Sequence, residues 1–131
     1  MKKLLIISFD LVRRGECQSY AIGSIISRLK SNEAYEVFYT VDWYSFNLLS
    51  TENFDLGYCL ASDLFKKNLN EYTHIAISCY VWNNIIVNTL IDKLFEYDFH
   101  GKIILGGYEI SYSNEGELKN IYPKANYLVK G

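Results

Sequence analysis

Proline is almost missing from this chain, with Pro123 alone among 131 residues. Histidine is limited to His74 and His100, and cysteine to Cys17, Cys59 and Cys79. Three cysteines so widely spaced make neither a disulfide framework nor a C-x-x-C metal or redox motif. Reduced thiols are expected, with Cys59 and Cys79 as small core residues. An excess of charge is lacking too: the formal balance is −2, and no basic stripe invites nucleic acid. Arg13–Arg14 and Lys66–Lys67 are isolated pairs that read as solvated surface.

Long apolar runs are also absent. The opening MKKLLIISFD imitates a secretory signal, yet Asp10, Arg13 and Arg14 interrupt it before a signal core is complete. Nothing approaches the roughly 18 apolar residues of a membrane span, so no membrane partner is expected and the cytoplasm is the expected compartment. There is no Walker-type phosphate loop and no Gly-x-Gly-x-x-Gly fingerprint. No Ser–His or Cys–His pairing for nucleophilic catalysis is legible.

What remains is a globular composition, 50% apolar and 21% charged, in a chain of a length suited to one core. Residues 1–131 are read as a single domain. Four short apolar segments carry no helical stripe: Leu4–Phe9, Tyr35–Val41, His74–Cys79 and Lys102–Leu105, with a weaker fifth at Asn126–Val129. Apolar on both faces, they suit a parallel sheet covered on two sides. Between them lie stripes at helical spacing: Ile22, Ile25, Ile26 and Leu29; then Leu60, Ala61, Leu64, Phe65 and Leu69; then Ile86, Leu90, Ile91, Leu94 and Phe95. A last helix is expected within Asn114–Tyr122, stopped by Pro123.

This alternation predicts βαβ units with right-handed crossovers. The expected fold is α/β, a doubly wound, five-stranded parallel sheet of flavodoxin-like order 2-1-3-4-5 with helices on both faces. Ligands of such sheets bind beyond the carboxyl ends of the strands, at the switch point between strands 1 and 3. Function is therefore expected in three loops, Asp10–Cys17, Ser78–Asn83 and Gly106–Ser111. The segment Asp42–Asp55, aromatic and polar without a clear period, reads as a long loop after the second strand, with a partial helical turn and no assigned role.

The three loops carry Asp10-Leu-Val12-Arg-Arg-Gly15, Ser78-Cys-Tyr80 and Gly106–Gly107. Together they resemble the cobalamin-binding domain family, with its Asp-x-His-x-x-Gly, Ser-x-Leu and Gly-Gly elements after strands 1, 3 and 4. The wider wording, Ala76-Ile-Ser-Cys-Tyr-Val-Trp82 and Ile104-Leu-Gly-Gly-Tyr-Glu109, is similar to the variety at the front of radical S-adenosylmethionine enzymes. Leu128-Val-Lys-Gly131 looks like the start of the link to the catalytic barrel in those enzymes. The resemblance implies the amino-terminal domain of a longer enzyme, whose own downstream radical domain would be its partner. An iron–sulfur cluster and S-adenosylmethionine would belong to that missing domain, since Cys17, Cys59 and Cys79 cannot supply a Cys-x-x-x-Cys-x-x-Cys loop.

By the same resemblance, the site residues are Asp10, Val12, Gly15, Ser78, Tyr80, Trp82, Gly106 and Gly107. The small hydroxyl of Ser78 and the two glycines would leave a channel for the nucleotide tail of the corrinoid. Val12 stands where the family has its cobalt-ligating histidine, and it has no lone pair to offer. His74 and His100 are expected at the opposite edge of the sheet, so any bound cobalamin would lack a protein imidazole. Metal ligands are therefore not expected within this chain.

Several residues keep two readings. Gly106–Gly107 either serve that channel or simply make a tight strand-to-helix turn with positive φ. Asp10 either binds a polar ligand group or caps the next helix. Tyr80, in place of the family's leucine, either reshapes the pocket or lies along its wall. Trp82 stacks on a flat ligand or covers a core edge. The alternative function is an interaction module that kept the fold and lost the ligand, with Trp43, Tyr44 and Phe46 of the long loop as its contact patch. A flavin-binding relative ranks last, because Asp10–Gly15 lacks the Ser, Thr and Gly of a phosphate-holding loop.

Overall fold

The computed structural model describes residues 1–10, 20–47, 69–80 and 84–130. Five strands make one parallel sheet, in the order β2-β1-β3-β4-β5. They are β1 (Lys2–Asp10), β2 (Tyr39–Asn47), β3 (His74–Ser78), β4 (Lys102–Gly106) and β5 (Tyr127–Leu128). The helices are α1 (Tyr20–Lys30), α2 (Asn84–Glu96), α3 (Tyr108–Tyr112) and α4 (Glu115–Ile121). The expected fold class and strand order are those observed.

Register explains why the central strands are apolar throughout. Ile7, Ile77, Leu105 and Leu128 lie side by side on one face, and Ile6, Ala76, Ile104 and Tyr127 on the other. The first face is the larger core. It gathers Leu5, Ile7, Phe9, Ile75, Ile77, Ile103 and Leu105 beneath Val87, Leu90, Ile91 and Leu94 of α2, with Ile110 of α3 and Leu118 of α4. Burying each such side chain stabilises the fold by roughly 1.5–3 kcal/mol. On the second face Ile26 of α1 packs on Ile6 and Val41, with Leu4, Leu29, Tyr35 and Ala76 around them. Helices thus cover both faces, as a parallel sheet requires.

The helical stripes hold with adjustments. In α2, Leu90, Ile91 and Leu94 are buried and Ile86 is partly so, but Phe95 faces solvent and Val87 joins the core instead. In α1, Ile25 is exposed. Of the second stripe, residues 60–65 lie outside the described residues, while Leu69 is buried in a short 3-10 turn, Leu69–Glu71. The last helix starts where Asn114 Oδ1 accepts from the Gly116 N–H at 2.8 Å, an Asn cap. Asn88 of α2 donates to the Ile121 carbonyl at 2.9 Å, which fastens the other end.

Two expectations about the second strand are corrected. The strand does not cover Tyr35–Val41; residues 35–38 turn, helped by Glu36 at φ 64°, and β2 begins at Tyr39. The segment read as a loop from Asp42 is strand through Asn47, paired with β1 residue for residue from Lys2↔Tyr39 to Asp10↔Asn47. Aromatic residues favour strands wherever a partner edge is available, and β1 supplies one. Residues 48–68, which include the rest of that loop, lie outside the described residues.

Because β2 is a strand, Trp43 and Tyr44 point to opposite faces. Trp43 is 55% exposed, with the Lys30 ammonium 5.9 Å from its ring centroid. Tyr44 is partly buried against the larger core. The two rings therefore do not share one contact patch; the Phe46 side chain lies outside the described residues.

Candidate functional site

Parallel strands bring all their carboxyl ends to one edge. β1 ends at Asp10, β3 at Ser78 and β4 at Gly106, on three adjacent strands. Ser78 pairs directly with Gly106, and the register that sets Ile7 beside Ile77 brings Ser8 beside Ser78 on the opposite face, that of Ile6 and Ala76. A row of small residues, Ser8, Ser78 and Gly106, thus crosses the central strands just inside this edge. Ser8 is buried, whereas Ser78 and Gly106 keep partial exposure. Asp10 closes β1, but its side chain, like Val12, Gly15 and Trp82 as a whole, lies outside the described residues.

The two glycines have different reasons to be glycine. Gly107 has φ 105°, which side-chain-bearing residues rarely adopt. A Cβ there would also stand 2.9 Å from the Cys79 carbonyl oxygen, 3.0 Å from the Cys79 nitrogen and 3.2 Å from Ser78 Oγ. The protein itself fills the space beside Gly107, so the tight-turn reading applies there. The expectation that a Cβ at this position would intrude on a ligand channel is replaced by a collision with the end of β3. Gly106 differs, because among the described residues a Cβ would meet only Val129, at 3.7 Å and beyond. Neither its backbone conformation nor packing among the described residues demands glycine at 106.

The chain after Gly107 is not the open loop expected over Gly106–Ser111. It turns at once into α3, whose first-turn Glu109 N–H donates to the Cys79 carbonyl at 3.2 Å. Cys79 N–H in turn donates to the Gly106 carbonyl at 2.8 Å. Tyr108 and Tyr112, four residues apart on α3, present neighbouring rings to solvent, with centroids 4.5 Å apart and planes inclined at 38°. Tyr80 follows Cys79 and is partly buried.

A buried polar cluster under this rim was not anticipated. Glu109 is only 4% exposed, and Tyr122 donates its phenol hydrogen to Glu109 Oε2 across 3.1 Å. Burial pushes the Glu109 carboxyl above the usual carboxylate range, and the Tyr122 hydrogen bond opposes that shift. The Cys79 thiol, fully buried, is pushed up to about 12 by burial, with the neighbouring Glu109 charge adding to the shift and the Tyr122 hydrogen bond opposing it. Such a thiol is inert at neutral pH, in keeping with its reading as a core residue.

The histidines are where they were expected. His74 opens β3 and His100 precedes β4, both at the amino edge, opposite the candidate site. His74 Nδ1 lies 2.8 Å from Thr73 Oγ1. Among the described residues no group of three or more His, Cys, Asp or Glu side chains is arranged to hold a metal ion. Nor is any described helix long and apolar enough to cross a membrane. No protein-family model matches the chain, and no curated protein matches it.

Proposed function

We propose that this chain is a cobalamin-binding or cobalamin-binding-like accessory domain, serving a radical S-adenosylmethionine domain downstream of it. The observation that carries the reading is Gly106. It is a glycine for which the described residues give no steric reason, paired with Ser78 at the carboxyl edge where β1, β3 and β4 end side by side. Small residues there leave room on the side of the sheet where open α/β folds receive their ligands. Ser8 and Ser78 add hydroxyls to the same row, a lining suited to the polar tail of a corrinoid rather than to a wholly apolar ligand.

Residues assigned to hold the group are Ser78, Tyr80 and Gly106, with Asp10, Val12, Gly15 and Trp82 from the flanking loops. Gly107 contributes by shaping the turn. With both histidines at the far edge and valine at position 12, the corrinoid is held without a protein imidazole. When bound, it supplies an organometallic cobalt centre able to carry a methyl group. The role of this chain is to bind and orient it toward the catalytic barrel, in the cytoplasm.

The test is co-elution. Hydroxocobalamin mixed with the purified chain is expected to travel with it on gel filtration and to show a changed visible spectrum without the signature of a histidine ligand. Free elution of the corrinoid with an unchanged spectrum would leave the fold and remove the binding claim, in favour of a domain that interacts without this ligand.

A further inference from the structure

The cluster under the rim has a chemistry of its own. Glu109 sits in the first turn of α3, and its carboxyl reaches back to Tyr122, at the carboxyl end of α4. Among the described residues, two other titratable groups face it: Tyr122 itself and Cys79, from the exit of β3. Both are neutral over the ordinary pH range, since burial raises each of them further. Among the described residues, no lysine, arginine or histidine forms an ion pair with Glu109. Its neighbours Tyr122 and Cys79, and Ile110 next to it in α3, all belong to the larger apolar core.

An ionised carboxylate in such surroundings is penalised heavily unless it is paired, and one phenol hydrogen bond only partly compensates. A neutral carboxylic acid fits without that penalty. The element that carries Glu109 is also weakly held. α3 has five residues, too few to be helical on its own, and only Glu109 and Ile110 in it are buried. Segments with so few buried contacts open at the low end of the stability range.

We propose that Glu109 is a protonation-controlled latch on the β4 exit. As the neutral acid it keeps α3 folded against the end of β3; as the carboxylate it favours release of α3 into solvent. Release would break the bond from the Glu109 N–H to the Cys79 carbonyl, and so reshape the rim beside Ser78 and Gly106. This inference concerns the chain's own residues and stands whether or not a corrinoid binds.

The direction follows from linkage. The closed state binds the Glu109 proton more tightly than the open state does, so closing is fully favoured below the ordinary glutamate range. It is progressively lost as pH rises from that range toward the raised midpoint, and then levels off. The experiment is amide hydrogen exchange of the full chain across a pH series, corrected for intrinsic exchange. Protection of residues 108–112 is expected to fall by about tenfold per pH unit within that window, while α2 stays constant.

Two variants and one spectroscopic readout complete the test. Glu109→Gln should make α3 protection independent of pH. Tyr122→Phe removes the hydrogen bond that favours the carboxylate, so the falling window should extend to higher pH. Should either variant fail to fold, carboxyl carbon NMR of the unmodified chain still decides: Glu109 is expected to titrate above the ordinary glutamate range. Flat protection in the unmodified chain, an equal fall in α2, an unchanged slope in Glu109→Gln, or Glu109 titrating within the ordinary glutamate range would each overturn the proposal.

Discussion

Gly107 approaches the backbone of Cys79 so closely that a single added methyl would stand 2.9 Å from its carbonyl oxygen. That contact welds the exit of β4 to the exit of β3. The neighbouring hydrogen bonds, Cys79 N–H to Gly106 and Glu109 N–H to Cys79, repeat the connection on either side. The geometry of the rim is therefore set by backbone against backbone, before any ligand is considered.

Gly107→Ala should be strongly destabilising. The backbone conformation excludes a side chain, and the obstacle is main chain that cannot rotate away. A loss of about 2–4 kcal/mol is expected, read as a lower urea midpoint in equilibrium unfolding.

Gly106→Ala should behave differently, with stability within about 1 kcal/mol of the parent, because among the described residues its Cβ would make only ordinary contact with Val129. A pair of urea curves for the two alanine variants separates the roles assigned to the two glycines. Similar losses in both would remove the distinction.

Asn126 joins the last strand to the sheet. Its side-chain oxygen accepts from the Ile103 N–H at 2.8 Å, and its own N–H donates to the Ile103 carbonyl at 2.9 Å. Asn126→Ala leaves the Ile103 N–H without its partner at the start of β4. The expected cost is about 1–3 kcal/mol, and exchange of the Val129 amide, which bonds to Leu105 at 2.8 Å, should quicken as β5 frays.

Tyr72 donates its hydroxyl hydrogen to Asp42 Oδ2 at 2.8 Å. Burial, then that hydrogen bond and the charges of Asp42 and Glu71, push its phenol up to about 12. The folded state thus holds this proton more tightly than the unfolded state, so its contribution is complete below about pH 10 and lost as pH rises toward 12. Alkaline unfolding of Tyr72→Phe should show a shallower loss of stability across that window than the parent. Coincident pH profiles would contradict the assignment.

How much of this was legible in the sequence depends on where the pattern was redundant. Leu5 to Phe9, Ile75, Ile77, Ile103 and Leu105 identify central strands because a buried parallel strand needs apolar residues on both faces. The alternation with helical stripes then implies the strand order. β2 was harder to bound, since Tyr35 and Tyr39 both favour a strand and only the β1 edge decides which residues pair. Glu109 could not be read as buried, because an acidic side chain beside exposed tyrosines looks like surface until Tyr122 is brought beneath it. The rim residues Ser78, Gly106 and Gly107 were identified from their loops, but only the fold separates a glycine required by packing from one left open.

The most direct measurement on the central claim is corrinoid binding by the parent chain beside Gly106→Leu, with both shown to be folded by circular dichroism. A spectral change and co-elution in the parent, lost in the leucine variant, is the predicted result. Absence of binding in the parent, or equal binding in both, would contradict the assignment of the Ser78–Gly106 edge as the corrinoid site.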